Sequence, residues 1–211
     1  MSFIIKEIKK ISDVEVQIKT IYMILEKSKR ILYGLIPYAY NKTFYPHSLK
    51  LPYLNFIKQN GYTHYPYYFA RNYLNKKIII LKDPEKNLNY VLHEGNKKLY
   101  YPRLYSPSDI EKNYKSLLIE QDINSAHHYV NSLEEYRGKT ILDIGAAEGI
   151  ISLDAIEKAN HIYLFEFEPF WIEALKATFE PWKEKITIIS KYVGKLNDND
   201  HISIDSFFEN Y

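Results

Sequence analysis

The chain has 211 residues, 46% of them hydrophobic, which is enough apolar side chain for a folded core and argues against wholesale disorder. A formal net charge of +2 and a pI of about 8.4 give no electrostatic reason to expect nucleic acid or an anionic membrane surface as a partner. Cysteine is absent, which excludes disulfides, thiolate nucleophiles and cysteine-ligated zinc.

The first 36 residues read as a helix. Ser12 with Glu15 three positions on forms a capping-box pattern, and Val14, Ile18, Ile21, Tyr22 and Leu25 repeat at spacings of three and four. Gly34 and Pro37 are expected to end this helix. Such a stripe is read as ordinary packing in preference to a dimerisation or membrane-surface helix. The apolar run from Ile18 to Pro37 is interrupted by Lys19, Glu26, Lys27, Lys29 and Arg30. A bilayer-crossing helix needs about 20 mostly uncharged residues, so no span is expected. Lys6, Glu7, Lys9 and Lys10 break any secretory signal core, and a cytoplasmic location follows as the expectation.

Residues 37–75 read as irregular and aromatic, punctuated by Pro37, Pro46, Pro52 and Pro66. Their rings could stack on a sugar. Ordinary packing in a chain with 21 tyrosines and 7 glycines explains them as well, and no spacing is diagnostic. Residues 76–102 predict a small antiparallel meander. Its strands are Lys77–Leu81, Asn89–His93 and Lys98–Tyr101, and its turns lie at Asp83-Pro84 to Asn87 and at Gly95-Asn96. Ser108 with Glu111 predicts a capped helix ending near Asp122, and Ser125 a second one over 126–136, closed by Arg137-Gly138.

Near Gly138 the pattern changes to alternating strand and helix. Thr140–Ile144 is a short apolar strand that runs into Gly145, Ala146, Ala147, Glu148 and Gly149, and a helix begins near Ile150. A strand passing through small residues into a helix lets the backbone approach a ligand closely. The spacing is Gly-x-x-x-Gly, without the third glycine of a dinucleotide fingerprint. Asp143 and Glu148 flank this loop and would oppose a pyrophosphate, by about 1 kcal/mol per pair at 4 Å in water and more where water is excluded. S-adenosylmethionine (SAM) has no phosphate and carries an ammonium and a sulfonium, which suit a loop lined with carboxylates. SAM is therefore the expected cofactor, with Asp143, Gly145, Ala146, Glu148 and Gly149 around it. A strand-end aspartate that merely caps the helix turn leaves the second carboxylate unexplained.

The next strand, His161–Phe165, leads into Glu166-Phe167-Glu168-Pro169. A carboxylate about 20 residues past the glycine loop can accept hydrogen bonds from both ribose hydroxyls. Glu166 and Glu168 are both candidates for this role; strand register favours Glu166, with Glu168 then a cap for the following helix. A helix over about 170–181, a strand Ile186–Ile189 and a turn at 190–193 follow, and Tyr192 and Val193 fall in this turn, expected near the adenine. Ile202–Asp205 reads as a short extended piece.

Taken in order, ILDIGAAEG (141–149), Glu-x-Glu-Pro-x-Trp (166–171), ALKATFEPWKEKI (174–186), EQDINSAHHY (120–129) and ISIDSFF (202–208) resemble the FkbM-type family of SAM-dependent methyltransferases over roughly residues 90–211. The resemblance implies an α/β, Rossmann-like class I sheet preceded by a helical and small antiparallel β region. It implies methylation of a carbohydrate or small-molecule hydroxyl. It places Glu120 and Gln121 at the edge of the pocket and makes His127 the one nameable candidate for a base. His127 and His128 lie next to each other, and no metal is expected there. Family members continue into a strand with a Lys-x-Asp-x-Glu-Gly motif that this chain does not contain. Three of an expected seven strands are legible, so the domain reads as its first half: either the chain is a fragment, or the open edge of its first strand is covered by a partner chain, by self-association or by the preceding residues. The expected organisation is a helical and aromatic region (1–75), an accessory meander with helices (76–138) and a partial SAM-binding domain (139–211). A non-catalytic SAM-binding or interaction module is the alternative. A nicotinamide oxidoreductase is disfavoured by the loop's carboxylates and missing glycine.

Overall fold

A computed structural model describes residues 17–18 and 20–210. The Ser12–Glu15 capping pattern and Val14 lie outside the described residues. The chain forms two compact units that divide between Leu74 and Asn75.

In the first unit, helical backbone over 20–29 passes through a π-helical turn, Arg30–Leu35, into α1 (Ile36–Phe44). Gly34 and Pro37 therefore do not end the helix. Proline cannot donate a hydrogen bond, and its ring crowds the carbonyl one turn back. The wider turn just before it, in which the Ile36 amide donates to the Ile31 carbonyl, carries the helix through the proline. Gly34 is required for another reason: a Cβ there would lie 2.8 Å from the Lys58 Cα on α2 (Leu51–Asn60). Arg30 closes the same contact by donating to the Lys58 and Gln59 carbonyls at 3.1 and 2.7 Å, at the end of α2. With α3 (Ala70–Leu74), residues 37–75 are largely helical where irregular chain was expected. Their rings pack on one another, as in the stacked Tyr67–Phe69 pair and the edge-on Phe56–Tyr68 pair. The expected packed stripe at Ile18, Ile21, Tyr22 and Leu25 is exposed. Among the described residues, no helix is long and apolar enough to cross a membrane.

The second unit is mixed α/β. The meander forms as an antiparallel sheet of β1 (Ile80–Asp83), β2 (Leu88–His93) and β3 (Lys97–Tyr101) in that order. Asp83 organises the first turn by accepting from the Glu85 and Lys86 amides. α4 (Pro107–Glu120) starts two residues before the predicted position: Ser106 is its cap, in a reciprocal box with Asp109, and Pro107 takes the first helical position. The helix predicted over 126–136 does not form. Asp122 accepts from the Asn124 amide, Ser125 Oγ accepts from the His127 amide, and only a 3₁₀ turn, Leu133–Tyr136 capped by Ser132, appears. These short side chains offer the backbone local partners that compete with a helix.

β4 (Thr140–Ile144), α5 (Ile150–Ala155), β5 (His161–Phe165), α6 (Pro169–Phe179) and β6 (Ile186–Ile189) follow as read from the sequence, with a 3₁₀ turn over Glu180–Lys185 after α6. The strands pair in parallel in the order β4-β5-β6. The last extended piece is shorter than expected: β7 (Tyr192–Val193) pairs with β8 (His201–Ile202), and α7 (Ile204–Asn210) begins at once. Alternation along the strands gives the parallel sheet two apolar faces. Ile162 and Leu164 share one core with Leu153, Leu175 and Phe179 on the helices and with Leu99 and Tyr101 of β3. Phe165, Ile189, Ile202 and Phe207 form the core of the other face. The meander is thus part of the same core as the parallel sheet. The Tyr100 amide donates to Thr178 Oγ1, and Arg103 ties Glu173 to the Lys86 and Asn87 carbonyls. Among the described residues no strand pairs with the outer side of β4, and Ile144 at its end is 54% exposed.

Candidate functional site

The site is built where β4 runs out. Gly145 and Gly149 both have φ of 73°, in the left-handed region that glycine enters without steric cost. Ala147, between them, has φ of 43°, which is unusual for a residue with a Cβ. The loop is held in this shape from the tip of β5. The Gly145 and Ala146 amides donate to the Phe165 carbonyl, and the Ala147 amide donates to Glu166 Oε2 at 2.9 Å. Gly149 has a packing reason as well, since a Cβ there would stand 2.7 Å from Leu175 and 2.9 Å from Phe179 on α6.

Asp143, at the end of β4, accepts a hydrogen bond from the Ser152 hydroxyl of α5 at 2.6 Å, and burial pushes its carboxyl above the ordinary range. Glu148 accepts from the Asn113 side-chain amide of α4 at 2.5 Å. Burial raises the Glu148 carboxyl too, and Glu120 and Glu166 add to the shift. Asp143, Gly145, Ala146 and Glu148 line one cavity of about 570 Å³ together with Glu120 and Gln121 from the end of α4. Its walls add Leu117, Tyr129, Val130 and Tyr136. Burial and the nearby Asp154 and Asp143 hold the Tyr136 phenol at about 12, so at neutral pH it stays neutral. The cavity is lined by three carboxylates and, among the described residues, by no lysine, arginine or histidine.

The other residues named from the sequence, Gly149, Glu166, Glu168, Tyr192, Val193 and His127, are not among those that line this cavity. Glu166 is 8% exposed; one carboxylate oxygen accepts from Ala147 and the other from the Glu168 amide at 2.8 Å. Glu168 stands at the N-cap position of α6, but its side chain makes no cap bond there. Its Oε1 accepts instead from the Tyr192 hydroxyl at 3.3 Å, and the Tyr192 ring stacks on Phe167 with centroids 4.2 Å apart. Val193 continues β7 beside Tyr192. His127 does not line the cavity; its amide donates to Ser125 Oγ. Asn113 and Ser152 were not picked out from the sequence. Asn113, Leu117, Glu120 and Gln121 do follow the helical spacing of one face, which is the signal that would have found Asn113.

A second group of possible ligands, His93, Glu94 and Asp154, lies apart from this cavity. His93 Nε2 is 2.6 Å from Asp154, and its Nδ1 pairs with the Tyr114 hydroxyl. The Lys97 ammonium reaches Glu94 at 2.7 Å and the Leu153 carbonyl at 3.2 Å, so a cation already belongs to this cluster.

The comparisons identify no family. No protein-family model matches the chain, and no curated protein matches it. Among solved structures, the chain is similar to a crystal structure from Pyrococcus horikoshii, provisionally described as an RNA methyltransferase. The TM-score is 0.30 and the identity 17%, over 65% of this chain and 54% of the other. It is also similar to wild-type Trm5b from Pyrococcus abyssi, with a TM-score of 0.27 and 12% identity, over 59% of this chain and 34% of the other. The chain thus spans about half and about a third of the lengths of these two proteins. Likenesses at this level leave the reading to rest on the site itself, and they do not bear out the expectation that nucleic acid is no partner.

Proposed function

We propose that the second unit binds SAM at the Gly145–Gly149 loop and belongs to a methyltransferase of the FkbM type, with a hydroxyl of a carbohydrate or small molecule as acceptor. The observation that carries this reading is the charge of the cavity: Asp143, Glu148 and Glu120 with no basic lining residue among the described ones. Its size falls in the range of small-molecule sites, about 300–1,000 Å³. A dinucleotide pyrophosphate would meet these carboxylates with repulsion, whereas the ammonium and sulfonium of SAM meet attraction. When bound, SAM supplies a methyl group on a sulfonium for in-line displacement by an acceptor oxygen. This chain's residues serve that transfer by placement and by excluding water.

The geometry suggests a division of labour between the two acidic residues past β5. Both oxygens of Glu166 hold backbone amides, so Glu166 braces the loop. Glu168, facing the Tyr192 hydroxyl, is the carboxylate better presented to a ribose. Calorimetric titration with SAM and with NAD tests the reading. Heat with SAM and none with NAD is expected, and no heat with SAM at high micromolar concentration would sink it.

A second reading is a SAM-binding module without catalysis. It is favoured by the unpaired outer side of β4 among the described residues and by the absence of His127 from the cavity lining. Transfer of a labelled methyl group to a panel of hydroxyl acceptors separates the two readings, since the module binds SAM and transfers nothing.

A further inference from the structure

The near-neutral net charge hides a division between the two units. Residues 1–74 contain eleven Lys or Arg against four Asp or Glu, and residues 75–211 contain seventeen against twenty-two. No acidic residue lies between Glu26 and Asp83. A charge asymmetry of this size between parts of one chain points to an anionic partner for the basic part. The same unit displays apolar side chains. Ile18, Ile21, Tyr22, Met23, Ile24 and Leu25 are 48–67% exposed on its first helical segment, just ahead of the exposed Lys27, Lys29 and Arg30. Ile21 to Leu25 are five consecutive residues. An α-helix turns once in about 3.6 residues, so they point to every side of the helix and no single flat partner covers them. Leu32, Leu35 and Ile36 prolong the exposed apolar surface through the π turn into α1.

We infer that the first unit docks on anionic lipid bilayers through this segment, with Ile21, Met23, Ile24 and Leu25 entering the boundary between headgroups and acyl chains and Lys27 and Lys29 meeting the lipid phosphates. Arg30 is held by the α2 carbonyls, and its charge adds to the local potential. Lipid answers both halves of the surface. Acyl chains surround the apolar side chains from every direction, and lysine stems lie along them with the ammonium at headgroup level. Other partners fit one half only. A nucleic acid matches the charge, but it places its bases on aromatic faces. The rings of this unit are engaged with one another, as in Tyr33–Tyr62, Tyr53–Tyr67 and Phe56–Tyr68, and the exposed segment offers mostly Ile, Leu and Met. A second copy matches the apolar half, but it adds its own excess of basic charge. The inference is independent of the cofactor reading of the second unit, whose excess of acidic residues gives it no attraction to the same surface.

The full chain is tested by flotation with phosphatidylcholine vesicles, with and without phosphatidylglycerol, in about 0.1 M and about 1 M salt, over which the Debye length falls from about 10 to about 3 Å. Binding to the phosphatidylglycerol vesicles in the lower salt is expected, weakened about tenfold or more by leaving out that lipid or by raising the salt. Ile21→Glu with Ile24→Glu is expected to abolish it. Both side chains are exposed, so the melting temperature should not change. Lys27→Gln with Lys29→Gln is expected to weaken it by about tenfold. The chain has no cysteine, so Met23→Cys gives a single attachment point for an environment-sensitive dye. Its emission should shift to the blue on phosphatidylglycerol vesicles. Equal binding to both vesicles, binding unaffected by either double variant, or a dye that stays in water while the protein floats overturns the inference. Failure to float with any vesicle overturns it too. A single-stranded RNA oligonucleotide whose binding is lost in Lys27→Gln with Lys29→Gln then points to nucleic acid, and a dimer in sedimentation velocity that Ile21→Glu with Ile24→Glu abolishes points to a second copy.

Discussion

At the scale of single residues, the acids of the glycine loop cost stability at neutral pH. Asp143 and Glu148 both have carboxyls pushed up by burial, so the folded protein holds their protons more tightly than the unfolded chain does. The stability that goes with this is fully present below the ordinary carboxylate pKa of about 4 and is lost as pH rises through the raised values. Asp143→Asn, which can still accept from Ser152, and Glu148→Gln are therefore expected to raise the melting temperature at neutral pH and to change it little near pH 4. Scanning calorimetry at the two pH values checks this, and equal shifts at both would contradict it. Glu166 and Glu168 divide differently. Glu166→Ala removes the acceptor for the Ala147 amide and is expected to cost both stability and SAM affinity. Glu168→Ala, which removes no cap bond, is expected to cost affinity alone. The sequence made the carboxylates legible because charge at a glycine loop is a chemical statement. It did not reveal their partners: Ser152 comes from the following helix and Asn113 from one 35 positions upstream.

At the scale of elements, the segments that read correctly were those whose local pattern and tertiary burial agree. β4, β5 and β6 are apolar runs paired in one parallel sheet, and each sits where the pattern placed it. The errors fall where a short-range signal was outvoted. Pro37 did not stop its helix because a π turn absorbed it, and Ser125 makes a cap-like bond to the His127 amide but no helix follows it. Two changes probe these elements. Gly34→Ala would force a Cβ to within 2.8 Å of the α2 backbone, and it is expected to destabilise the first unit by about 1–3 kcal/mol, seen as faster proteolysis within residues 20–60. Ser106→Ala removes the side-chain half of the α4 capping box, the Oγ that accepts from the Asp109 amide, and leaves the amide of residue 106 to donate to Asp109. It should cost about 1 kcal/mol, and it should weaken SAM binding, because α4 carries Asn113, Glu120 and Gln121.

At the scale of the whole molecule, the change of pattern near Gly138 marks a change of architecture within one core. β3 of the meander is buried with α6 and β5, and hydrogen exchange should therefore give Leu99 and Leu164 amides similar protection. Protection that differs by the full range between loop and core would show the meander to be a separate cooperative unit. The division between Leu74 and Asn75 predicts instead that heat unfolding is not a single two-state transition. Sequence periodicity could not show the shared core, since the contact between Tyr100 and Thr178 joins residues 78 positions apart.

Gly149 gives the core a readout. With no room for even a methyl group between the loop and the side chains of Leu175 and Phe179, the position of the Gly145–Gly149 loop is set by how those two residues pack. Any loosening of α6 becomes a displacement of the Gly145–Gly149 loop. Leu175→Ala, a change in the interior that touches no ligand, should therefore weaken SAM binding along with stability. Compounds or partners that stiffen α6 should tighten it, so that affinity serves as a gauge of packing in a part of the molecule the ligand never meets.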